Sequence, residues 1–181
     1  MQTNIARRRV RRFFIILGAL CLLATALAAL VLRGVLRLNT PSRADFPIWG
    51  VDVSHYQGKI DWETLAAQRV RFAYIKATEG SAHTDERFGE NAQGAAAAGV
   101  PAGAYHFFSF ESAGKTQAEN FLAALRDQPL SLPCAVDFEF YGEFFDHPPD
   151  VETVRAELRA LLEALEAETG RKPVLYATSR S

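Results

Sequence analysis

Hydrophobic and polar positions divide the chain into two regimes. Residues 13–32, FFIILGALCLLATALAALVL, are 20 consecutive positions without a charge. As a helix, such a run spans about 30 Å, the thickness of a bilayer's hydrocarbon core. Beyond residue 48 short apolar stretches alternate with longer ones of helical character. Strands are predicted at 49–54 (WGVDVS), 71–77 (RFAYIKA), 102–108 (AGAYHFF), 134–140 (CAVDFEF) and 173–178 (PVLYAT). Helices are predicted between them, at 61–68 with Asp61 as cap, at 85–98, at 112–126 with Ser112 as cap, and at 150–169. Gly99 and Gly170 stand where helices end in a left-handed residue. Residues 33–48 mix Arg, Asn, Pro and Ser and read as a linker.

This order, strand and helix in alternation, predicts an α/β domain with a parallel sheet and right-handed crossovers. Two closures satisfy it, an open doubly wound sheet or a (β/α) barrel. The first strand runs into DVSHYQG, which lacks the G-x-G-x-x-G spacing of a dinucleotide site. The chain shows no repeats and no low-complexity tract.

Charge sharpens the division. Residues 1–44 hold eight arginines and no acid, while 45–181 hold 12 bases and 21 acids, a net of −9. A domain this acidic is a poor partner for nucleic acid. Five arginines (Arg7, Arg8, Arg9, Arg11, Arg12) precede the apolar run. Positive charge stays on the cytoplasmic side, so a signal anchor at 13–32 would leave 1–12 inside and place the domain outside the inner membrane. A cleaved signal peptide, with Ala26-Leu27-Ala28 as the cutting motif, would export the domain as well. The apolar run continues to Leu32, which suits an anchor better. The only cysteines are Cys21, in that run, and Cys134, in a strand, so no disulfide is expected within the domain. His55, His83 and His147 lack ligand spacing, and neither a metal nor a cofactor is expected.

The strand at 134–140 carries the chemistry. Alternate residues of a strand face opposite ways, so Val136, Phe138 and Phe140 share one face and Ala135, Asp137 and Glu139 the other. Two carboxylates then stand roughly 6–7 Å apart along the strand. Asp52 lies near the end of the first strand. In a barrel, functional side chains gather at the C-terminal ends of the strands, so these three acids would converge on one mouth. Like charges held close raise at least one pKa, as a general acid near neutral pH requires. Paired carboxylates are the machinery of glycoside hydrolysis.

GVDVSHYQGKIDW, FAYIKATEG, GVPAGAYHFFSF and AVDFEF, in that order and at these separations, resemble glycoside hydrolase family 25. Members are lysozymes, N-acetylmuramidases that cut the β-1,4 bond between N-acetylmuramic acid and N-acetylglucosamine in peptidoglycan. The resemblance implies an irregular, TIM-like (β/α) barrel over 49–181. It assigns Glu139 as proton donor, Asp137 as its partner and Asp52 as the first-strand aspartate of the site. It leaves open whether the partner acts as nucleophile or orients the substrate's acetamido group. The family continues past the PVLYAT strand with further strands, so the barrel is expected to be incomplete at its C-terminus.

Further candidates for glycan contact are Tyr105, Glu79, Tyr141 and Tyr176, since aromatic rings with a polar tip suit carbohydrate. Glu79 also has the ion-pairing partner Lys76 nearby, and His106 reads as a core histidine. Three functions remain open. The leading one is an exported, membrane-tethered muramidase. The others are a barrel that binds peptidoglycan without cutting it, and a hydrolase of another N-acetylated glycan such as chitin.

Overall fold

The computed structural model describes residues 2–33, 42 and 44–178. Most of the expected linker, 34–41 and 43, lies outside the described residues. The chain separates into two units, 1–47 and 48–181.

Among the described residues of the first unit the one regular element is a helix, α1 (Gln2–Leu32). The helix runs through the basic residues before Phe13 without a break. Arginine is a strong helix former, and neither Gly nor Pro interrupts the stretch before Phe13. Its part Arg11–Leu32 is long and apolar enough to cross a membrane, a test that signal sequences near an N-terminus also pass.

The second unit runs β1 (Gly50–Val53), α2 (Trp62–Ala67), β2 (Phe72–Glu79), β3 (His83–Thr84), α3 (Phe88–Ala97), β4 (Ala102–Phe107), α4 (Gly114–Leu125), β5 (Ala135–Phe138), α5 (Val151–Thr169) and β6 (Val174–Ala177). Single 3-10 turns follow β1 at His55–Gln57 and β5 at Gly142–Phe145. Strands β1, β2, β4, β5 and β6 pair in that order, all parallel. All the predicted strands and crossover helices are present. The sheet curls about one open face, as half of a barrel does, rather than lying between two helical layers.

The core lies between the other face and the helices. Ala73, Ile75, Ala77, Phe108, Val136 and Phe138 of the sheet side meet Ala92 and Ala95 of α3 and Phe121 of α4. Leu161 and Leu165 of α5 join the same cluster. Each fully buried Phe or Leu contributes about 1.5–3 kcal/mol. Two glycines permit close approach. A Cβ on Gly94 of α3 would run into the Trp62 indole, and one on Gly114 would overlap the backbone carbonyl of Glu157. That contact sets α4 directly against α5.

Local ends differ from expectation for identifiable reasons. Asp85 does not open α3, because its carboxylate is engaged elsewhere and its amide bonds Ala77 O at 2.9 Å. Ser112 does not cap α4. Glu157 Oε2 accepts the Gly114 N–H at 2.7 Å instead. The acidic strand is shorter than 134–140, ending at Phe138, so Glu139 lies just past it. The hairpin strand β3, antiparallel to the end of β2, was not anticipated. Asp61 and Asp150 cap α2 and α5 through Thr64 and Thr153, and Gly170 ends α5 with φ +67°.

Candidate active site

Register carries the site across the sheet. Asp52 pairs with Tyr74, Tyr74 with Gly103, Tyr105 with Ala135, and Asp137 with Tyr176. Paired residues of parallel strands share a face. That face lines a cavity of about 390 Å³ bounded by Asp52, Tyr74, Tyr105, Ala135, Asp137, Glu139, Val174 and Tyr176. Gly103 lets the Tyr74 ring lie across β4, since a Cβ there would stand 2.6 Å from the Tyr74 ring. Asp52, Asp137, Glu139, Tyr105 and Tyr176 therefore meet as expected.

Electrostatics single out Asp137. Burial raises its pKa, and the neighbouring charges of Glu139 and Asp52 raise it further, against a smaller opposing effect of Lys76, to about 6. Its Oδ1 is buried and takes no hydrogen bond within the described residues. Tyr105 is likewise held protonated, first by burial and then by Asp52 and Asp137. The cavity is thus a place where negative charge is crowded and partly shielded from water.

Glu79 stands beside this group rather than in its lining. A β-bulge between Lys76 and Thr78 shifts the register so that Glu79 pairs with Phe107, and Phe107 with Asp137. The bulge turns Glu79 to the carboxylate face, where it meets Lys76 Nζ at 2.6 Å. The ammonium also lies 5.2 Å from the Phe107 ring centre. Tyr141, proposed from sequence to touch the glycan, is also outside the lining. Its hydroxyl lies 3.1 Å from Ser109 Oγ and accepts the Phe110 N–H at 3.2 Å. Its ring stacks on Phe110, so it braces the loop after β4.

His106 is fully buried behind the site, with Nδ1 2.8 Å from Thr78 Oγ1 and Nε2 2.9 Å from Gln117 Oε1. Burial lowers its pKa to about 4, so it is a neutral core residue. Cys134 is buried and unpaired. Among the described residues no cluster of acids, cysteines and histidines is arranged to hold a metal.

Two features escaped the sequence. Tyr74 was not singled out, although its pairing with Asp52 is a consequence of β1 and β2 lying side by side. His55 and Asp85 are 30 residues apart, yet Nδ1 lies 2.7 Å from Oδ2. No local pattern announces that contact.

Known proteins resemble this chain in sequence and in fold. The family model described as glycosyl hydrolases family 25 matches residues 51–180. The protein YegX of Escherichia coli O157:H7 is 35% identical over 139 residues, covering 74% of this chain and 49% of that protein. Lysozyme M1 of Streptomyces globisporus is 47% identical over 97 residues, 51% of this chain and 33% of that enzyme. A solved family 25 glycosyl hydrolase from Bacillus anthracis superposes with a TM-score of 0.69 at 48% identity, covering 72% of this chain and 60% of its own. The chain thus spans about half the length of YegX and a third of Lysozyme M1.

Proposed function

Since the chain belongs to glycosyl hydrolase family 25, we propose that it hydrolyses peptidoglycan at the β-1,4 bond between N-acetylmuramic acid and N-acetylglucosamine. One observation carries the reading. Asp52 of β1, Asp137 of β5 and Glu139 just past β5 line a single cavity together with three tyrosines, although β1 and β5 are not neighbours.

In this reading Glu139 donates a proton to the leaving glycosidic oxygen, a step worth about 10²–10⁴-fold in typical enzymes. Asp137 supplies negative charge toward the anomeric centre, or its unpartnered Oδ1 accepts a hydrogen bond from the sugar's acetamido N–H. Asp52, on the far wall, contributes to the raised pKa of Asp137. The raised pKa belongs to Asp137. Glu139 lies past the end of β5 at the rim, and a glycan laid across the cavity would expel its water. Tyr105 and Tyr176 offer ring faces and hydroxyls to the sugars.

We further infer that Phe13–Leu32 delivers the domain to the cell wall, as an anchor with the domain on the outer side. Incubation with purified peptidoglycan tests the function directly. Release of reducing ends supports a hydrolase. Retention on the wall without release would favour a glycan-binding module, and release from chitin but not peptidoglycan a different substrate.

A further inference from the structure

We propose that Tyr56 is a further glycan-binding residue, an aromatic platform beside β1 that stacks on a sugar ring outside the catalytic cavity. The inference rests on the reading of that cavity as a glycan cleft.

Tyr56 is 80% exposed, among the most exposed of the large aromatic side chains in the described residues. It is nevertheless held from several sides. The 3-10 turn that bears it, His55–Gln57, is closed by a reciprocal cap between Ser54 and Gln57, with Gln57 Oε1 accepting the Ser54 N–H at 2.7 Å. Its ring lies over the His55 imidazole, with centres 4.0 Å apart and planes tilted by 38°. His55 is itself pinned. Asp85 Oδ2 accepts its backbone N–H at 2.9 Å and faces Nδ1 at 2.7 Å, while Asp85 Oδ1 accepts the Arg87 N–H at 3.0 Å. The Asp85 side chain is fully shielded from solvent. Burial alone would raise its pKa, but these hydrogen bonds outweigh it and the net shift is downward. The carboxylate stays ionised and the proton on Nδ1 points at it. A buried carboxylate, a fixed imidazole and an exposed phenol are thus stacked in series.

The position suits a neighbouring subsite. Tyr56 is four residues beyond Asp52, which limits the separation to about 14 Å of extended chain. The turn bearing Tyr56 follows the C-terminal end of β1, the strand whose Asp52 lines the cavity. A β-linked pyranose shows axial C–H bonds on its face, apolar and slightly positive, which match the negative face of an aromatic ring. A ring already resting on a pinned imidazole loses less entropy when sugar settles on it than a free one.

The test is co-sedimentation of the full chain, in mild detergent and carrying Glu139→Gln, with purified insoluble peptidoglycan. Adding Tyr56→Ala should weaken binding roughly 3- to 10-fold. Tyr56→Phe, which keeps the ring, should bind as the parent does, and all three should melt together because the side chain is exposed. Equal binding by Tyr56→Ala overturns the platform while the glycan cleft stands. Weakening by both variants with a lowered melting temperature overturns it as well, marking Tyr56 as structural. A parent chain that does not sediment with peptidoglycan overturns the glycan-cleft reading and the platform together.

Discussion

Asp52 and Asp137 line one cavity although two strands, β2 and β4, stand between theirs. In a flat sheet three inter-strand steps alone would hold them at least about 14 Å apart. The curl of the sheet brings the charge of Asp52 close enough to raise the pKa of Asp137. That relationship turns a strand order into a site.

The crowding of Asp137 should be measurable and partly reversible. Its carboxyl should titrate near 6 in a carbon-detected NMR titration. Burial is the larger cause and will persist, so Glu139→Gln or Asp52→Asn should lower the midpoint without restoring an ordinary aspartate value.

The same shift bears on stability. A carboxyl whose folded pKa lies above its unfolded one contributes stability at low pH that is lost as pH rises through about 6. Asp137→Asn should therefore raise the melting temperature at pH 7 more than at pH 4. An equal change at both values would show that the carboxylate is not strained.

His106 acts in the opposite sense. Its pKa is lowered to about 4 in the folded chain, so protons bind the unfolded state preferentially between there and the ordinary histidine value of 6.5. Stability should fall as pH drops through that window and level off below it. In urea unfolding, His106→Gln should lose this slope relative to the parent while costing about 1–3 kcal/mol at neutral pH through the groups it leaves unpaired.

Two glycines should respond with opposite signs. Gly114→Ala would drive a methyl into the Glu157 carbonyl and should destabilise by about 1–3 kcal/mol or more. Gly89, inside α3, has open space around its Cβ position, and Gly89→Ala should stabilise by about 0.5–1 kcal/mol. Denaturant midpoints of the two variants decide both.

Much of the fold and site was readable in advance because β/α alternation is a strong pattern and strand parity has only two states. Together they predicted the parallel strands and the convergence of Asp52, Asp137 and Glu139, while Tyr105 and Tyr176 stood out as rings with a polar tip that suit sugar. What resisted reading depends on irregular geometry or distant pairing. The bulge after Lys76 turns Glu79 to the carboxylate face, which strict alternation from Tyr74 would not do. Asp85 looked like the start of a helix, but its carboxylate serves His55. Glu157 caps α4 from 43 residues away, which made Ser112 the wrong choice. Tyr141 looked like a free aromatic at a strand end, and its hydroxyl is taken by the loop after β4.

Membrane placement has its own assay. The full chain should stay with the membrane fraction through alkaline carbonate extraction, and a version lacking 1–44 should not. Release of the full chain by carbonate would remove the anchor, and a shortened mature product would point to cleavage after Ala28 instead.

The most direct measurement is the rate at which reducing ends appear when the chain and its Glu139→Gln variant are incubated with purified peptidoglycan. The parent should release them. The variant should fall by on the order of 10²–10⁴-fold, mainly in kcat, because an amide cannot give a proton to the leaving oxygen. Turnover by Glu139→Gln near that of the parent would contradict the assignment of the proton donor, and with it the reading of this cavity as the catalytic centre.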